Sequence, residues 1–320
     1  MRVTKAGVVG AGAMGAAIAE VLAYNGISVV LKDVDQALVD RGLARVRSIV
    51  EELVVFHEGR AAKEIERIEG LGIALTEDQK GKLRERLRPK FGRARGDEVL
   101  ARVVGTTSYE PFRDVDLVIE AVFERADVKR SVLEALDGCL PDHAVIATNT
   151  SSLSLTRLAR GLHHARQCVV AHFFNPPYTL PLVEVSGGVD TREEVVSELV
   201  DFLQSLRNHR YPMVPIRVKE SPAFVVNRLL IPVLNEACFE LDEGIASARD
   251  IDSAMKAGAG FPMGPFELAD MIGLDVALEV AETMHREFGD PKYRPALALR
   301  RLVDAGHLGR KTGRGFYDYT

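Results

Sequence analysis

Short apolar runs alternate with helix-forming stretches along the first two thirds of the chain. Runs of this length, bounded by polar or turn-forming residues, are typical of buried β-strands. The pattern predicts strands at residues 6–9, 28–31, 103–104, 116–120, 144–147, 168–173, 182–185 and 213–218. Because helix-forming stretches separate most of these runs, we predict an α/β fold with a doubly wound parallel sheet.

The helix-forming segments fall into two groups. Residues from about 36 to 100 are rich in Glu, Arg, Lys, Leu and Ala, which predicts a helical arm much longer than an ordinary crossover helix. Such an arm is either a solvated surface or a source of basic side chains for substrate phosphates. After residue 220 only helices are predicted, at 223–242, 248–257, 264–271 and 274–288, with Pro222 in the first turn. We therefore predict a sheet domain over residues 1–219 and an all-helical domain over residues 220–320.

Composition restricts the possible functions. With 320 residues, of which 47% are hydrophobic and 27% charged, the chain has the composition of a globular protein. The net charge of −5 argues against nucleic-acid binding, and no apolar run reaches the ~18 residues that span a membrane. Cys139, Cys168 and Cys238 lack CxxC spacing, so neither disulfides nor a metal site are predicted. The first strand starts within about five residues of Met1, which leaves no room for a signal peptide, and we expect a cytoplasmic protein.

A glycine-rich turn lies between the first predicted strand and the helix that follows it. The segment Gly10-Ala-Gly12-Ala-Met14-Gly15 has the GxGxxG spacing of dinucleotide-binding folds. Gly10 allows the tight turn, Gly12 lets the backbone approach a pyrophosphate, and Gly15 lets the helix pack on the sheet. The unpaired N–H groups at the start of that helix favour an anion. The turn therefore predicts a Rossmann-like, nucleotide-binding first domain.

An acidic residue follows the second predicted strand. Asp33 lies 18 residues after Gly15, close to the spacing at which a carboxylate bonds the ribose 2′-hydroxyl of NAD. The same charge repels the 2′-phosphate of NADP, although the neighbouring Lys32 would soften that repulsion. The predicted cofactor is therefore NAD.

One histidine and one glutamate stand out as candidate catalytic residues. An alcohol dehydrogenation needs a base, and histidine is the side chain best matched to neutral pH. His172 closes an apolar strand, where open α/β sheets bind ligands, and Glu184 lies within an otherwise apolar strand. A buried acid needs a partner, so a His172–Glu184 pair would orient the imidazole and stabilise its protonated form. The alternative is a histidine with only a packing role.

Seven short motifs follow one another along nearly the whole chain. They are Gly10–Gly15, Asn149-Thr-Ser151-Ser-Leu153, His172-Phe-Phe-Asn-Pro176, Leu182-Val-Glu184-Val, Phe224-Val-Val-Asn227-Arg, Met263-Gly-Pro-Phe-Glu267 and Lys311-Thr-Gly-Arg-Gly-Phe-Tyr317. Seven motifs in one order are far more specific than any one of them. Together they resemble the short-chain L-3-hydroxyacyl-CoA dehydrogenases.

The resemblance implies roles for particular residues. His172 would be the general base, Glu184 its pairing carboxylate, and Ser151 and Asn227 the hydrogen-bonding groups for the substrate. The residues that fall on NAD-contacting positions are Gly10, Gly12, Met14, Gly15, Asp33, Glu124, Lys129, Ser151, Asn175 and Lys311. Without the resemblance, Ser151 reads as a cap for a helix starting near Leu153, Asn227 as a capping or core amide, and the two lysines as ordinary surface residues.

The resemblance also implies the reaction, the reversible NAD-dependent oxidation of an L-3-hydroxyacyl-CoA in fatty-acid β-oxidation or a related acyl-CoA pathway. The expected partners are the acyl-CoA substrate and a second copy of the chain, bound through the helical domain. Residues 177–181 resemble instead a sister branch that oxidises free hydroxy acids such as gulonate or carnitine. Ala223 replaces a glycine that is common at this position in the family, and residues 208–215 resemble an insertion. A free 3-hydroxy acid and a non-catalytic, NAD-binding role therefore remain alternatives.

Overall fold

The computed structural model describes residues 1–319. The strands are β1 (Lys5–Val9), β2 (Ser28–Lys32), β3 (Val103–Thr106), β4 (Leu117–Glu120), β5 (Val145–Thr148), β6 (Cys168–Phe173), β7 (Leu182–Gly187) and β8 (Val214–Arg217). The first seven helices are α1 (Ala13–Tyr24), α2 (Gln36–Glu69), α3 (Glu77–Arg86), α4 (Arg93–Ala101), α5 (Ala126–Asp137), α6 (Leu155–Ala159) and α7 (Glu193–Ser205). The remaining five are α8 (Val226–Asp242), α9 (Ala248–Ala259), α10 (Pro265–Ile272), α11 (Leu274–Phe288) and α12 (Leu297–Asp304).

All these strands form one sheet, in the order β3-β2-β1-β4-β5-β6-β7-β8. Pairing is parallel from β3 across to β6, β7 runs antiparallel to β6, and β8 is parallel to β7. The strand order reverses between β1 and β4, and open sheets bind ligands at the carboxyl ends of the strands beside such a reversal. The predicted α/β fold is confirmed, with β7 and β8 running antiparallel to the other strands.

The central strands are buried on both faces, because helices cover both sides of the sheet. All four residues of β4 and all six of β6 are buried. Strands buried on both faces read as continuous apolar runs, which is why the sequence located them. Their carboxyl ends therefore have a rigid support.

The predicted helical arm consists of three helices, α2, α3 and α4. Asp35 caps α2 by accepting a hydrogen bond from the Leu38 N–H, and α2 continues for 34 residues. The buried residues of α2 recur every three or four positions from Val39 to Leu53, and the helix packs on α1 and α4. By contrast, α3 has no buried residue and begins with a capping box formed by Thr76 and Gln79.

The chain divides into two compact units. The first unit comprises Met1–Thr150 and Leu155–Arg217, and the second comprises Ser151–Ser154 and Val218–Thr320. The second unit has its own apolar core, which includes Leu234, Phe266, Leu274 and Met284. Residues 151–154, which the sequence placed in the first domain, group with the second unit.

The start of α8 differs from the prediction. The helix begins at Val226 rather than at residue 223, so Pro222 lies outside it. Ala223 and Phe224 have φ values of +66° and +45°, a left-handed conformation that cannot continue a right-handed helix. The prediction of a helix start at Pro222 was therefore wrong, because local propensity does not report these two turn residues.

One helix escaped prediction altogether. The eight residues of α12 include a single buried side chain, that of Leu299. Eight residues make only about two turns, shorter than the stretch over which a helical period is read, which explains the omission. Within residues 1–319, the helices include none with the length and apolar character needed to cross a membrane.

Candidate active site

The glycine-rich turn joins β1 to α1. Gly10 has a φ of +101°, and a Cβ atom on Gly15 would lie 1.7 Å from the Gly10 carbonyl oxygen. Both positions therefore require glycine. Gly12 is the N-cap of α1 and provides no side-chain cap, and a Cβ atom there would meet nothing within 4 Å. The backbone at Gly12 is thus open to a ligand. Met14, in the first turn of α1, is half-buried against the core.

Asp33 lies next to this turn. Its Oδ2 accepts a hydrogen bond from the Ala11 N–H at 2.7 Å, and its Oδ1 accepts one from the Val34 N–H at 2.7 Å. The Lys32 side chain is directed elsewhere, because its Nζ lies 4.2 Å from the centre of the Tyr109 ring. Burial lowers the pKa of Lys32, and the Asp33 charge opposes that shift. The carboxylate of Asp33 and the glycine-rich turn are therefore held together.

A buried ion cluster lies at the carboxyl ends of β4 and β5. The Nζ of Lys129 is 2.9 Å from Glu120 Oε1 and 3.3 Å from Glu124 Oε2, and the lysine side chain is only 1% exposed. The Thr148 hydroxyl donates to Glu120 at 2.6 Å, and the Thr150 hydroxyl donates to Glu124 at 2.5 Å. A buried ammonium needs such partners. Lys129 is thus not the ordinary surface lysine that composition alone suggested.

Sequence reasoning missed the central member of this cluster. Glu120 is fully buried at the end of β4, and it also accepts a hydrogen bond from the Val122 N–H at 2.7 Å. The available signal was an acidic residue that ends an apolar strand. Such a residue is costly to bury unless it is paired, and Lys129 lies in the first turn of the next helix.

His172 and Glu184 form a buried pair. The two residues lie directly opposite each other in the antiparallel pairing of β6 and β7, so their side chains share one face of the sheet. The distance from His172 Nδ1 to Glu184 Oε2 is 2.8 Å, with side-chain exposures of 8% and 0%. The ring of Phe174 packs against the imidazole, with 4.7 Å between ring centres. The partner that the sequence required for Glu184 is therefore His172.

Two asparagines lie beside this pair. The side-chain oxygen of Asn149 accepts a hydrogen bond from the Phe173 N–H at 2.9 Å, which ties the ends of β5 and β6 together. This residue belongs to the Asn149–Leu153 motif but was not among the predicted site residues. Asn175 is exposed, two residues beyond β6, and its peptide bond to Pro176 is cis.

The other predicted site residues belong to the second unit. Ser151 is half-buried, and α6 begins four residues later at Leu155, so Ser151 is not the N-cap of that helix. Asn227 is half-buried in the first turn of α8. Lys311 is exposed, with its Nζ 2.5 Å from both carboxylate oxygens of Asp275. Lys311 is therefore an exposed lysine with one acidic partner, as an ordinary surface lysine can be.

The two C-terminal motifs form a structural network. Asp252 accepts hydrogen bonds from the Phe266 and Glu267 N–H groups at 2.8 and 3.0 Å and from the Tyr317 hydroxyl at 2.7 Å. Asp270 accepts from the Phe316 and Tyr317 N–H groups at 2.9 and 3.0 Å. Both carboxylates are 1% exposed. These motifs thus hold the second unit together, since backbone donors satisfy its buried acids.

Two family descriptions match the chain. The first, "3-hydroxyacyl-CoA dehydrogenase, NAD binding domain", matches residues 5–80 and 58–221. The second, "3-hydroxyacyl-CoA dehydrogenase, C-terminal domain", matches residues 224–319. Together they span both compact units, and the first description supports NAD as the cofactor.

Individual proteins are similar over nearly the whole chain. A 3-hydroxybutyryl-CoA dehydrogenase of Clostridioides difficile is 38% identical over 315 residues, which are 98% of this chain and 99% of the relative. The mitochondrial hydroxyacyl-coenzyme A dehydrogenase of Homo sapiens is 36% identical, covering 98% and 90%. The crystal structure of an (S)-3-hydroxybutyryl-CoA dehydrogenase from Ralstonia eutropha is 40% identical, with a TM-score of 0.81 and full coverage of both chains.

Proposed function

The chain belongs to the 3-hydroxyacyl-CoA dehydrogenase family, and we propose that it catalyses the reversible NAD-dependent oxidation of an L-3-hydroxyacyl-CoA to the 3-ketoacyl-CoA. The observation that carries this proposal is the buried His172–Glu184 pair at the carboxyl end of β6. That end of the sheet also carries the glycine-rich turn and the Lys129 ion cluster, as expected for a nucleotide-dependent enzyme. The relatives named above are dehydrogenases of such thioesters. Fatty-acid β-oxidation or a related acyl-CoA pathway is the proposed setting.

His172 acts as the general base in oxidation. NAD, when bound, would supply the hydride acceptor, so the hydroxyl proton of the substrate needs a base within the protein. Nδ1 of His172 faces Glu184, so the substrate proton goes to Nε2. The buried Glu184 carboxylate stabilises the resulting imidazolium and fixes the orientation of the ring. In reduction, the same Nε2 returns the proton to the developing alkoxide.

The residues of the first unit fit a dinucleotide. The open backbone at Gly12 and the N–H groups of the first turn of α1 suit a pyrophosphate, with Gly10, Met14 and Gly15 shaping the turn. Asp33 is the ribose-binding carboxylate, adjacent to the turn through its bond to Ala11. Glu124, Lys129 and Asn175 are proposed to act at the nicotinamide end.

The second unit is proposed to contribute to substrate binding and assembly. Ser151 and Asn227 would hydrogen-bond the substrate's 3-oxygen and thioester region, and Ser151 and Lys311 would also contact NAD. On α8 and the residue before it, Leu229 and Val225 are 69% and 42% exposed, an apolar surface suited to a homodimer. We place this homodimer in the cytoplasm.

The test is an NADH-consumption assay with acetoacetyl-CoA, run beside free acetoacetate, dehydrocarnitine and an NADPH control. We expect turnover of the thioester with NADH and not with NADPH, because the Asp33 carboxylate disfavours the 2′-phosphate of NADPH. Turnover of a free acid alone would replace the thioester with a free hydroxy acid. Binding of NADH without any turnover would instead indicate a non-catalytic protein.

A further inference from the structure

A short loop between α7 and β8 folds as a self-contained hairpin. We define the hairpin loop as residues 206–213. The Met213 N–H donates to the Leu206 carbonyl at 2.9 Å, and the Asn208 N–H donates to the Tyr211 carbonyl at 2.9 Å. The Asn208 side chain, fully buried, accepts from the Arg210 and Tyr211 N–H groups. The loop therefore has one defined shape and overlaps the segment that the sequence marked as an insertion.

One side of the hairpin loop is attached to α1, the helix that follows the glycine-rich turn. His209 Nε2 is 2.9 Å from Glu20 Oε1, with side-chain exposures of 8% and 0%. The second carboxylate oxygen of Glu20 has no hydrogen-bond partner within residues 1–319. Asn25, at the end of α1, bonds both the N–H and the carbonyl of Arg207, at 3.0 and 2.8 Å. Because a buried carboxylate without a partner is costly, detaching His209 from Glu20 would be strongly unfavourable.

The other side of the hairpin loop is attached to the connection between β6 and β7. The Asn208 side chain donates to the Pro177 carbonyl at 3.2 Å, and the His209 N–H donates to the Tyr178 carbonyl at 3.2 Å. The imidazole of His209 also contacts two tyrosine rings, with 5.5 Å between ring centres to Tyr178 and 5.2 Å to Tyr24. His209 thus contacts α1 through its side chain and the β6–β7 connection through its backbone and its ring.

We propose that His209 is a positioning residue for the dehydrogenase reaction. The β6–β7 connection joins the strand that carries His172 to the strand that carries Glu184, and Asn175 lies within this connection. By bonding Glu20 and the backbone of Tyr178 at once, His209 fixes this connection relative to the nucleotide-binding helix. Hydride and proton transfer depend on such geometry, since a displacement of about 1 Å can cost about 100-fold in rate. The inference rests on the roles proposed for His172 and Asn175.

The test compares two substitutions that separate the ring packing of His209 from its bond to Glu20. His209→Phe keeps an aromatic ring between Tyr24 and Tyr178 but removes the donor, whereas His209→Gln keeps an N–H donor. We expect His209→Phe to lower kcat with acetoacetyl-CoA by about tenfold or more, with the Kd for NADH changed less than about threefold. His209→Gln should restore kcat to within about threefold of the parent. Kd is measured by NADH fluorescence.

His164→Phe is the matched control for lost stability, because it breaks another buried histidine–carboxylate pair of the same unit. It should lower Tm while kcat stays at the parent value. A parental kcat in His209→Phe would overturn the positioning role. So would a loss of kcat in His164→Phe equal to that in His209→Phe. A kcat of His209→Gln no higher than that of His209→Phe would overturn it as well. If His209→Phe does not fold, the kcat of Asn25→Ala is measured instead, because this substitution releases the backbone of Arg207 in the hairpin loop. A reduced kcat supports the positioning role, and a parental kcat overturns it.

His172→Ala is assayed in the same series to separate this inference from the proposed function. A fully active His172→Ala variant would remove the proposed role of His172, whatever the His209 variants show. An inactive His172→Ala variant together with a parental His209→Phe variant would remove only the positioning role of His209.

Discussion

A buried histidine pairs with a carboxylate near each end of β6, and the two pairs differ in their place in the sheet: His164 precedes the strand, and His172 lies within it. At the amino end, His164 Nδ1 is 2.8 Å from Asp137 Oδ1. At the carboxyl end, His172 Nδ1 is 2.8 Å from Glu184 Oε2. The two histidines are almost equally buried, at 1% and 6% exposure. Neither the burial of the histidine nor the nitrogen–oxygen distance therefore distinguishes the pair proposed to be catalytic from the other one.

The place in the sheet makes the difference. His164 Nε2 lies 3.1 Å from the Pro141 carbonyl, so both of its ring nitrogens contact the protein. Asp137 in turn accepts hydrogen bonds from the His163 and His164 N–H groups at 2.9 and 2.8 Å. His172 instead lies at the carboxyl ends of the parallel strands, where open sheets bind ligands. The amino-end pair closes a loop onto α5, whereas the carboxyl-end pair lies where we propose that proton transfer takes place.

The largest expected effect is on catalysis, and it separates the two ends directly. We expect His172→Ala to lower kcat by about 10²- to 10⁴-fold, the usual range for a general base. We expect the equivalent substitution His164→Ala to leave kcat within about threefold of the parent, because His164 lies at the opposite end of the strand. Both variants are assayed with acetoacetyl-CoA and NADH at a temperature where they remain folded.

NADH binding is the control for this comparison. Both variants should retain the parental Kd for NADH in a fluorescence titration, because neither histidine belongs to the proposed dinucleotide site. Activity of His172→Ala within about threefold of the parent would end its assignment as the base. A large loss of kcat in His164→Ala would show that the amino-end pair also affects chemistry.

The sequence sufficed for features whose cause is local. The strands of the sheet interior are continuous apolar runs, and the glycines at positions 10 and 15 are required by a positive φ and by a close backbone approach. Local steric and hydrogen-bonding requirements of this kind leave a readable pattern along the chain.

The features that escaped prediction depend on contacts between distant segments. The Lys129–Glu120 ion pair arises because β4 and α5 bring together two residues that look like a strand end and a surface lysine. The pair of His209 with Glu20 joins residues 189 positions apart. The start of α8 was mispredicted because Ala223 and Phe224 adopt left-handed conformations that neither residue type favours. Composition and periodicity carry no information about such contacts.

The next largest effect is on stability at the amino end of β6. We expect His164→Phe to lower the free energy of unfolding by about 1–3 kcal/mol, because the Asp137 carboxylate and the Pro141 carbonyl each lose a partner. Urea unfolding at neutral pH measures the change. The matched control is His143→Phe, since the His143 side chain is 67% exposed and its nitrogen lies 3.7 Å from the nearest carboxylate. Equal losses in the two variants would contradict a structural role specific to the His164 pair.

The smallest expected effect is on how strongly acid lowers the free energy of unfolding, through Asp137 at the amino end of β6. Burial raises the pKa of Asp137, but hydrogen bonds from the His164 and His163 backbone and from the His164 ring outweigh it and lower the pKa below its ordinary value of 3.8. The stability from this carboxylate is therefore fully present above the ordinary pKa and is lost as pH falls through the lowered value. Comparing urea unfolding at pH 5 and below pH 4, we expect the parent to lose more stability on acidification than Asp137→Asn. Equal losses would mean that Asp137 contributes nothing to acid unfolding, and that the hydrogen bonds at the amino end of β6 do not favour its charged form.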